Sequence, residues 1–273
     1  MKNLLHYARV AIKILRTRYS FGRYSLFIHY VKYLFRAFLY ARKITSTTAP
    51  YFTERLFGFT VTFSRYAEFI HLFEEIFVYE VYRFTPATAS PIIIDAGSNI
   101  GMSVMYFKLK FPGCSIMAFE PERNNFEMLT KNITANNFQQ VVAYPIALSD
   151  SAKEATLVRD SSSSLNWRID TTDGLNAKER ITTNTLSTYI NDQIDLLKID
   201  VEGSEFSIIS DLVRTGKVKL IQNFVMELHP AILGNDLQNL LSCLSENGIA
   251  YTYVGEHFLV HTSLDPMKPI LLS

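Results

Sequence analysis

Pro91-Ile92-Ile93-Ile94-Asp95-Ala96-Gly97-Ser98-Asn99-Ile100-Gly101 and, a helix-length later, Ser115-Ile116-Met117-Ala118-Phe119-Glu120-Pro121 decide the fold. The first run begins as an apolar, β-branched segment, the form of a parallel strand covered on both faces. It breaks at once into a glycine turn, where the backbone must reverse sharply and a Cβ would obstruct close approach. A helix over about Ile100–Phe111 follows, with its free N–H groups at the turn. The second run is another buried strand, and it delivers Glu120 to its own tip. An acid there accepts two hydrogen bonds from a ribose diol. Strand, glycine turn, helix and strand-tip acid together make a nucleoside-binding half-fold.

The spacing selects the nucleoside. A dinucleotide site needs G-x-G-x-x-G, and the chain instead has Asp95-x-Gly97-x-Asn99-x-Gly101. A carboxylate two residues before the first glycine would repel a pyrophosphate but suits a ligand bearing an ammonium group. S-adenosylmethionine is such a ligand. An NAD-dependent oxidoreductase is disfavoured by the same spacing.

A second dense stretch, Asp195-Leu196-Leu197-Lys198-Ile199-Asp200-Val201-Glu202-Gly203, reads as a buried strand with Asp200 and Glu202 at or beyond its C-terminal tip. Asn223-Phe224-Val225-Met226 is a further strand, ending in Glu227-Leu228-His229-Pro230. Lys198 lies within its strand, and Asp195 or Glu202 is its expected buried partner. Val141–Ile146 reads as the third strand, closed by Ala147-Leu148-Ser149-Asp150 beside the adenine. Phe57–Phe63 alternates as one strand, Ala67–Phe84 as one helix, and Tyr251–Val254 with His257–His261 as a closing hairpin. Ser161–Ser164 and Asp170–Gly174 read as a polar loop in the position of a lid.

Composition divides the chain. There is no Asp or Glu before Glu54, but there are ten Lys or Arg residues; the rest carries 17 basic and 26 acidic residues, a net charge of −9. An acidic body opposes nucleic-acid binding. Residues 1–18 and Tyr24–Arg42 read as two helices with basic stripes and wide apolar faces, in an aromatic-rich chain of 20 Phe and 15 Tyr. That pattern fits either a helix lying in a membrane interface or one packed on the domain or on a second subunit. The resulting division is a basic helical extension (1–50), a cap of strand and helix (51–90) and a cofactor-binding domain (91–273). No secretory signal is apparent, so a cytoplasmic location is expected, at most peripheral to the membrane through residues 1–43. Cys114 and Cys243 read as buried thiols.

With these residues assembled, the chain resembles the FkbM family of S-adenosylmethionine-dependent methyltransferases over about Phe57–His261. Ile94–Gly101, Phe119–Pro121, Ala147–Asp150 and Ile194–Gly203 carry the likeness, in order and at family spacing. It implies a class I, Rossmann-like α/β fold: a mostly parallel seven-stranded sheet ending in an antiparallel hairpin. It implies O-methylation of a hydroxyl on a sugar, glycolipid or other secondary product. Asp95, Gly97, Asn99 and Gly101 would line the methionine end of the cofactor, Glu120 with Pro121 the ribose, and Ala147, Leu148 and Asp150 the adenine. Asp200, Glu202 and His229 are the candidate catalytic residues, His229 having the most suitable intrinsic pKa for a base. No metal is assigned, although Asp200, Glu227 and His229 are types that hold a divalent ion. RNA or protein methylation and a non-enzymatic membrane adaptor remain the alternatives.

Overall fold

The computed structural model describes residues 2–19, 21–41, 51–159, 167–170, 178–254 and 259–263. Two helices, α1 (Lys2–Arg16) and α2 (Arg23–Ala41), lead into a hairpin of β1 (Phe52–Leu56) and β2 (Phe59–Phe63) and then helix α3 (Tyr66–Phe73). The nucleoside half-fold follows as β3 (Ile92–Ala96), α4 (Met102–Lys110), β4 (Ser115–Phe119), α5 (Arg123–Ala135) and β5 (Val141–Tyr144). Four further strands are β6 (Ala147–Ser149), β7 (Lys153–Arg159), β8 (Trp167–Asp170) and β9 (Lys178–Thr185). The chain then adds β10 (Leu196–Ile199), α6 (Glu205–Arg214), β11 (Asn223–Glu227), the short α7 (Pro230–Leu233), α8 (Asp236–Glu246), β12 (Ala250–Val254) and β13 (Leu259–Ser263).

The main sheet has the order β12-β13-β11-β10-β3-β4-β5. Strands β5, β4, β3, β10 and β11 run parallel, while β13 is antiparallel to both of its neighbours. After β5 the chain crosses back to the other side of β3. The switch in strand order therefore falls between β3 and β10, where open α/β sheets bind ligands. This is the expected seven-stranded, class I architecture. All four residues of β10 and all but one of β3 are buried, which is why both read as buried strands, each interrupted by a single charged residue.

Three sequence expectations change. Phe57 and Gly58 both have positive φ (46° and 91°), as a two-residue hairpin turn requires, so the single strand expected over 57–63 is the second half of a hairpin. The helix expected to reach Phe84 passes into a π-turn over Glu74–Val78 and stops there. The third strand ends at Tyr144, because Pro145 lacks an N–H, and Ala147–Ser149 instead joins β9 in a second, four-stranded sheet of order β6-β9-β7-β8. The expected lid lies outside the described residues apart from Asp170, which ends β8. Cys114 is buried but Cys243 only half-buried, and both are free thiols.

Helices α1 and α2 share one apolar core with the hairpin, α3, α4 and one face of the main sheet. Aromatic packing explains the composition: the Tyr33 ring meets Phe69 and Phe73 edge-on, with centroids 4.8 and 5.3 Å apart. Two buried carboxylates pin the helices down. Glu54 on β1 is bound by Lys32 (2.8 Å), Arg36 (2.6 Å) and the Tyr66 hydroxyl. Glu74 accepts from the Tyr30 hydroxyl at 2.6 Å and lies 2.7 Å from His6 Nε2. The hairpin's other edge is closed by a helix. Asn132 of α5 and Asn136, which caps that helix, each accept from and donate to the backbone of β2, at Thr62 and Thr60 respectively.

Substituting Tyr30→Phe removes one donor to a buried carboxylate without changing packing. Urea unfolding is expected to show a loss of about 1.5–3 kcal/mol, the range for a hydrogen bond to a charged group.

Candidate active site

The C-terminal ends of β3, β4, β10 and β11 converge on one cavity. Gly97, Asn99, Glu120, Pro121, Ala147 and Leu148 line one side of it, and Asp200, Glu202, Glu227 and His229 the other. Sequence reasoning named all ten. Among residues it missed as cavity groups, His71 and Glu75 enter from the end of α3 and the π-turn, and Asn125 from α5. Asp95, Gly101 and Asp150 do not line the cavity.

Each position of the glycine turn has a local cause. Gly97 sits at φ 79°, and a Cβ there would lie 1.7 Å from the Asp200 carbonyl oxygen. The close neighbour that forbids a side chain is thus the adjoining strand end. Asn99 also takes a left-handed conformation (φ 48°), which asparagine tolerates best of the non-glycine residues, and its Oδ1 accepts from the Ile100 N–H. Gly101 caps α4 at φ 86°, against Leu129.

Asp95 corrects the expectation of an ammonium-binding acid. It is completely buried, accepts from Ser103 Oγ at 2.6 Å and lies 3.2 Å from Lys198 Nζ. Lys198, itself 2% exposed, also faces Asp200 Oδ2 at 3.5 Å and donates to the carbonyls of Ala96 and Gly97. Its partners are therefore Asp95 and Asp200, and neither Asp195 nor Glu202. Burial alone would drain the lysine's charge, but these two carboxylates outweigh it and raise its pKa above the usual value. Asp195 instead accepts from the Ile92 N–H, closing the start of the sheet.

Glu120 is nearly buried, with Oε1 accepting from the Glu122 N–H (2.9 Å) and Oε2 from the Asn99 N–H (2.8 Å). Its pKa is pushed up to about 7 by burial, against the pull of those two donors. Each oxygen keeps lone-pair capacity toward the cavity, and the site fits a vicinal diol. Ala147, Leu148 and Ile146 supply an apolar wall beside it. Asp150 points to solvent, accepting from Ser151 Oγ.

At the opposite side, His229 Nδ1 lies 2.8 Å from Glu205 Oε1, and Nε2 lies 3.4 Å from Glu202 Oε2. Both ring nitrogens face carboxylates, although a histidine preceding proline had equal reason to bond backbone. Burial alone would lower the imidazole pKa, but the hydrogen bond to Glu205 and the charges of Glu202 and Asp200 raise it. Glu205, fully buried in the first turn of α6, was not legible as a site residue, because an acid there looks like any helix-start acid. Glu202 adopts φ 53°, a strained conformation for a side-chain-bearing residue and a frequent mark of functional loops. Asp200 accepts from the Tyr82 hydroxyl at 3.1 Å. Glu227 is raised by the charge of Asp200 and by its own burial, and Glu75 reaches about 7 through burial and the same neighbour. One donor atom each from Asp200, Glu202 and His229 lie within 4.8 Å of one another, close enough for a divalent cation to be shared.

Residues 95–250 match the methyltransferase FkbM domain. The chain belongs to the FkbM methyltransferase family. This FkbM methyltransferase is 29% identical over 184 residues to Methyltransferase 1 of Beauveria bassiana, covering 59% of this chain and 73% of that one. It is also 29% identical over 195 residues to Methyltransferase sdnD of Sordaria araneosa, covering 59% and 74%. Among solved structures, an FkbM methyltransferase from Methylobacillus flagellatus superposes with a TM-score of 0.47 at 18% identity, over 68% of this chain and 46% of that one.

Two outcomes are expected of the FkbM methyltransferase site. Lys198→Met leaves Asp95 buried without a counter-charge, and chemical denaturation should show a loss of about 3–5 kcal/mol. Glu75 and Glu120 hold their protons to about pH 7, whereas the unfolded chain releases them near 4.5. Their stabilising contribution is therefore complete below about pH 4.5 and lost as pH rises through about 7. The urea midpoint of the cofactor-free protein should fall across that window, and Glu75→Gln should flatten the fall.

Proposed function

We propose that this methyltransferase uses S-adenosylmethionine to methylate a hydroxyl oxygen on a sugar, glycolipid or other secondary product, with His229 as the general base. The observation that carries the reading is the Glu205–His229 pair: a buried carboxylate at 2.8 Å orients an imidazole that lines the cavity, its other nitrogen 3.4 Å from the cavity acid Glu202. When bound, the cofactor supplies an activated methyl group on a sulfonium. Glu120 would hold its ribose hydroxyls and Ala147 and Leu148 would flank the adenine. Asp200 and Glu202 would face the positive charge, which the excess of acids in the cavity favours. Asp95 acts one layer behind, by fixing Lys198 and the turn carbonyls.

The surrounding acids raise the His229 pKa. A positive charge held beside Asp200 and Glu202 would offset that field, and the imidazole would then release its proton to solvent and be free to act as a base. Glu205 then holds the neutral tautomer with its proton on Nδ1, and Nε2 accepts the proton of the acceptor hydroxyl. The acidic lining also supports an uncharged acceptor over a phosphate-bearing one, since an anion there meets like charge. Alignment of the hydroxyl supplies the larger part of the acceleration and the positioned base about 10²–10⁴-fold.

The test is calorimetric titration with S-adenosylmethionine, then transfer of isotope-labelled methyl to a panel of hydroxyl-bearing sugars, glycolipids and secondary products. His229→Asn should retain cofactor affinity and lower turnover by about 10²–10⁴-fold. Glu120→Ala should weaken cofactor binding itself. Activity should survive EDTA. Loss under EDTA with recovery on added magnesium would reassign Asp200, Glu202 and His229 as cation ligands. Failure of the folded protein to bind the cofactor would remove the reading.

A further inference from the structure

Helix α2 is apolar on two opposite sides. Leu26, Tyr30 and Tyr33 are completely buried against the body. On the other side Ile28, Val31, Phe35 and Phe38 form a second stripe at helical spacing, each between 45% and 65% exposed. A helix that is apolar all round belongs inside a structure, and contiguous exposed apolar faces of this kind mark interaction sites. Helix α1 repeats the arrangement. Val10 and Ile14 are buried, while Leu4, Leu5 and Ile12 are at least 49% exposed.

Charge identifies what covers these faces. Exposed Arg9, Lys13 and Arg16 run along α1 beside its outer apolar stripe, and Arg18 and Arg23 flank the turn into α2. Lys32 and Arg36 are excluded from the count because they serve Glu54. With no acid anywhere in residues 1–53, a second copy docked symmetrically would set cation against cation. The remainder of the chain carries a net −9 and is on balance repelled by an anionic surface, which favours this face for meeting one. No helix among the described residues is long and apolar enough to cross a membrane, which leaves lying on the surface.

We propose that the outer faces of α1 and α2 form a docking surface for an anionic lipid bilayer. The apolar side chains enter the boundary between headgroups and acyl chains, and the arginines and lysines take the lipid phosphates. The proposal is independent of the acceptor chemistry and of the cofactor.

The experiment is co-sedimentation of the full chain with phosphatidylcholine vesicles, with and without phosphatidylglycerol. Wild-type protein should pellet with the anionic vesicles, less so in high salt, and stay in solution with the neutral ones. Phe35→Ser and Phe38→Ser should each weaken the partition about tenfold, the effect expected of losing one buried aromatic side chain. Arg9→Glu with Lys13→Glu should abolish the preference for phosphatidylglycerol. Thermal unfolding without lipid verifies that the variants fold. No partition into anionic vesicles, or unchanged partition of a folded Phe35→Ser/Phe38→Ser variant, would overturn the proposal. So would a lipid-free dimer that those same substitutions convert to monomer, because a second copy would then be the occupant.

Discussion

A single buried ammonium group holds this active site in shape. Lys198 reaches from the middle of β10 to the carboxylate of Asp95 on β3, to the carbonyls of the glycine turn and to Asp200 at its own strand end. A cation so enclosed is tolerable only because two carboxylates and the carbonyls replace its hydration. The same contacts fix the gap between β3 and β10, the place where strand order reverses. Gly97 then has to be glycine because the Asp200 carbonyl comes within a Cβ's reach. The backbone ladder between β3 and β10, the glycine turn and Asp200 thus meet around one buried cation.

The cavity itself is over-supplied with acids. Asp200, Glu202, Glu227 and Glu75 share it with the imidazoles of His71 and His229, and burial compounds their repulsion by raising Glu227 and Glu75. Such a cluster of carboxylates favours a positive charge beside it. The N-terminal region handles charge differently. There, single carboxylates are buried deliberately and each is surrounded: Glu54 by Lys32, Arg36 and Tyr66, Glu74 by Tyr30 and His6. These contacts make α1 and α2 structural members of the body, even while their outer faces stay open.

The parallel strands were legible in the sequence almost to the residue, because a strand covered on both faces has to be a short apolar run bounded by turns. Their tips were legible from the polar residues that end each run: a charge inside a strand needs a buried partner, as Asp95 and Lys198 are for each other, so Glu120, Asp200 and His229 read as edge residues. Pairings across long sequence separations were not legible. Nothing near Asp95 reveals that Lys198 neutralises it, and nothing near His229 singles out Glu205 over other helix-start acids. The second sheet was hidden for another reason. In residues 179–185 only Ile181 and Thr183 are buried, and one apolar residue in the eight of β9 gives no period to read. The turn at Phe57-Gly58 was concealed by a phenylalanine in a conformation that normally selects asparagine, aspartate or glycine.

The asparagine pair at the C-terminal end of α5 has a consequence of its own. A two-stranded hairpin leaves an open edge on each strand, and an open edge invites another chain to add to it. On β2 that invitation is withdrawn by two side-chain amides one helical turn apart, each offering a donor and an acceptor in the manner of a neighbouring strand. Asn132 and Asn136 thus do with two residues what an extra strand would do with five. They also splice the hairpin to the helix that starts just beyond Glu120. A strand from another chain therefore finds no free backbone group at Thr60 or Thr62 on that edge.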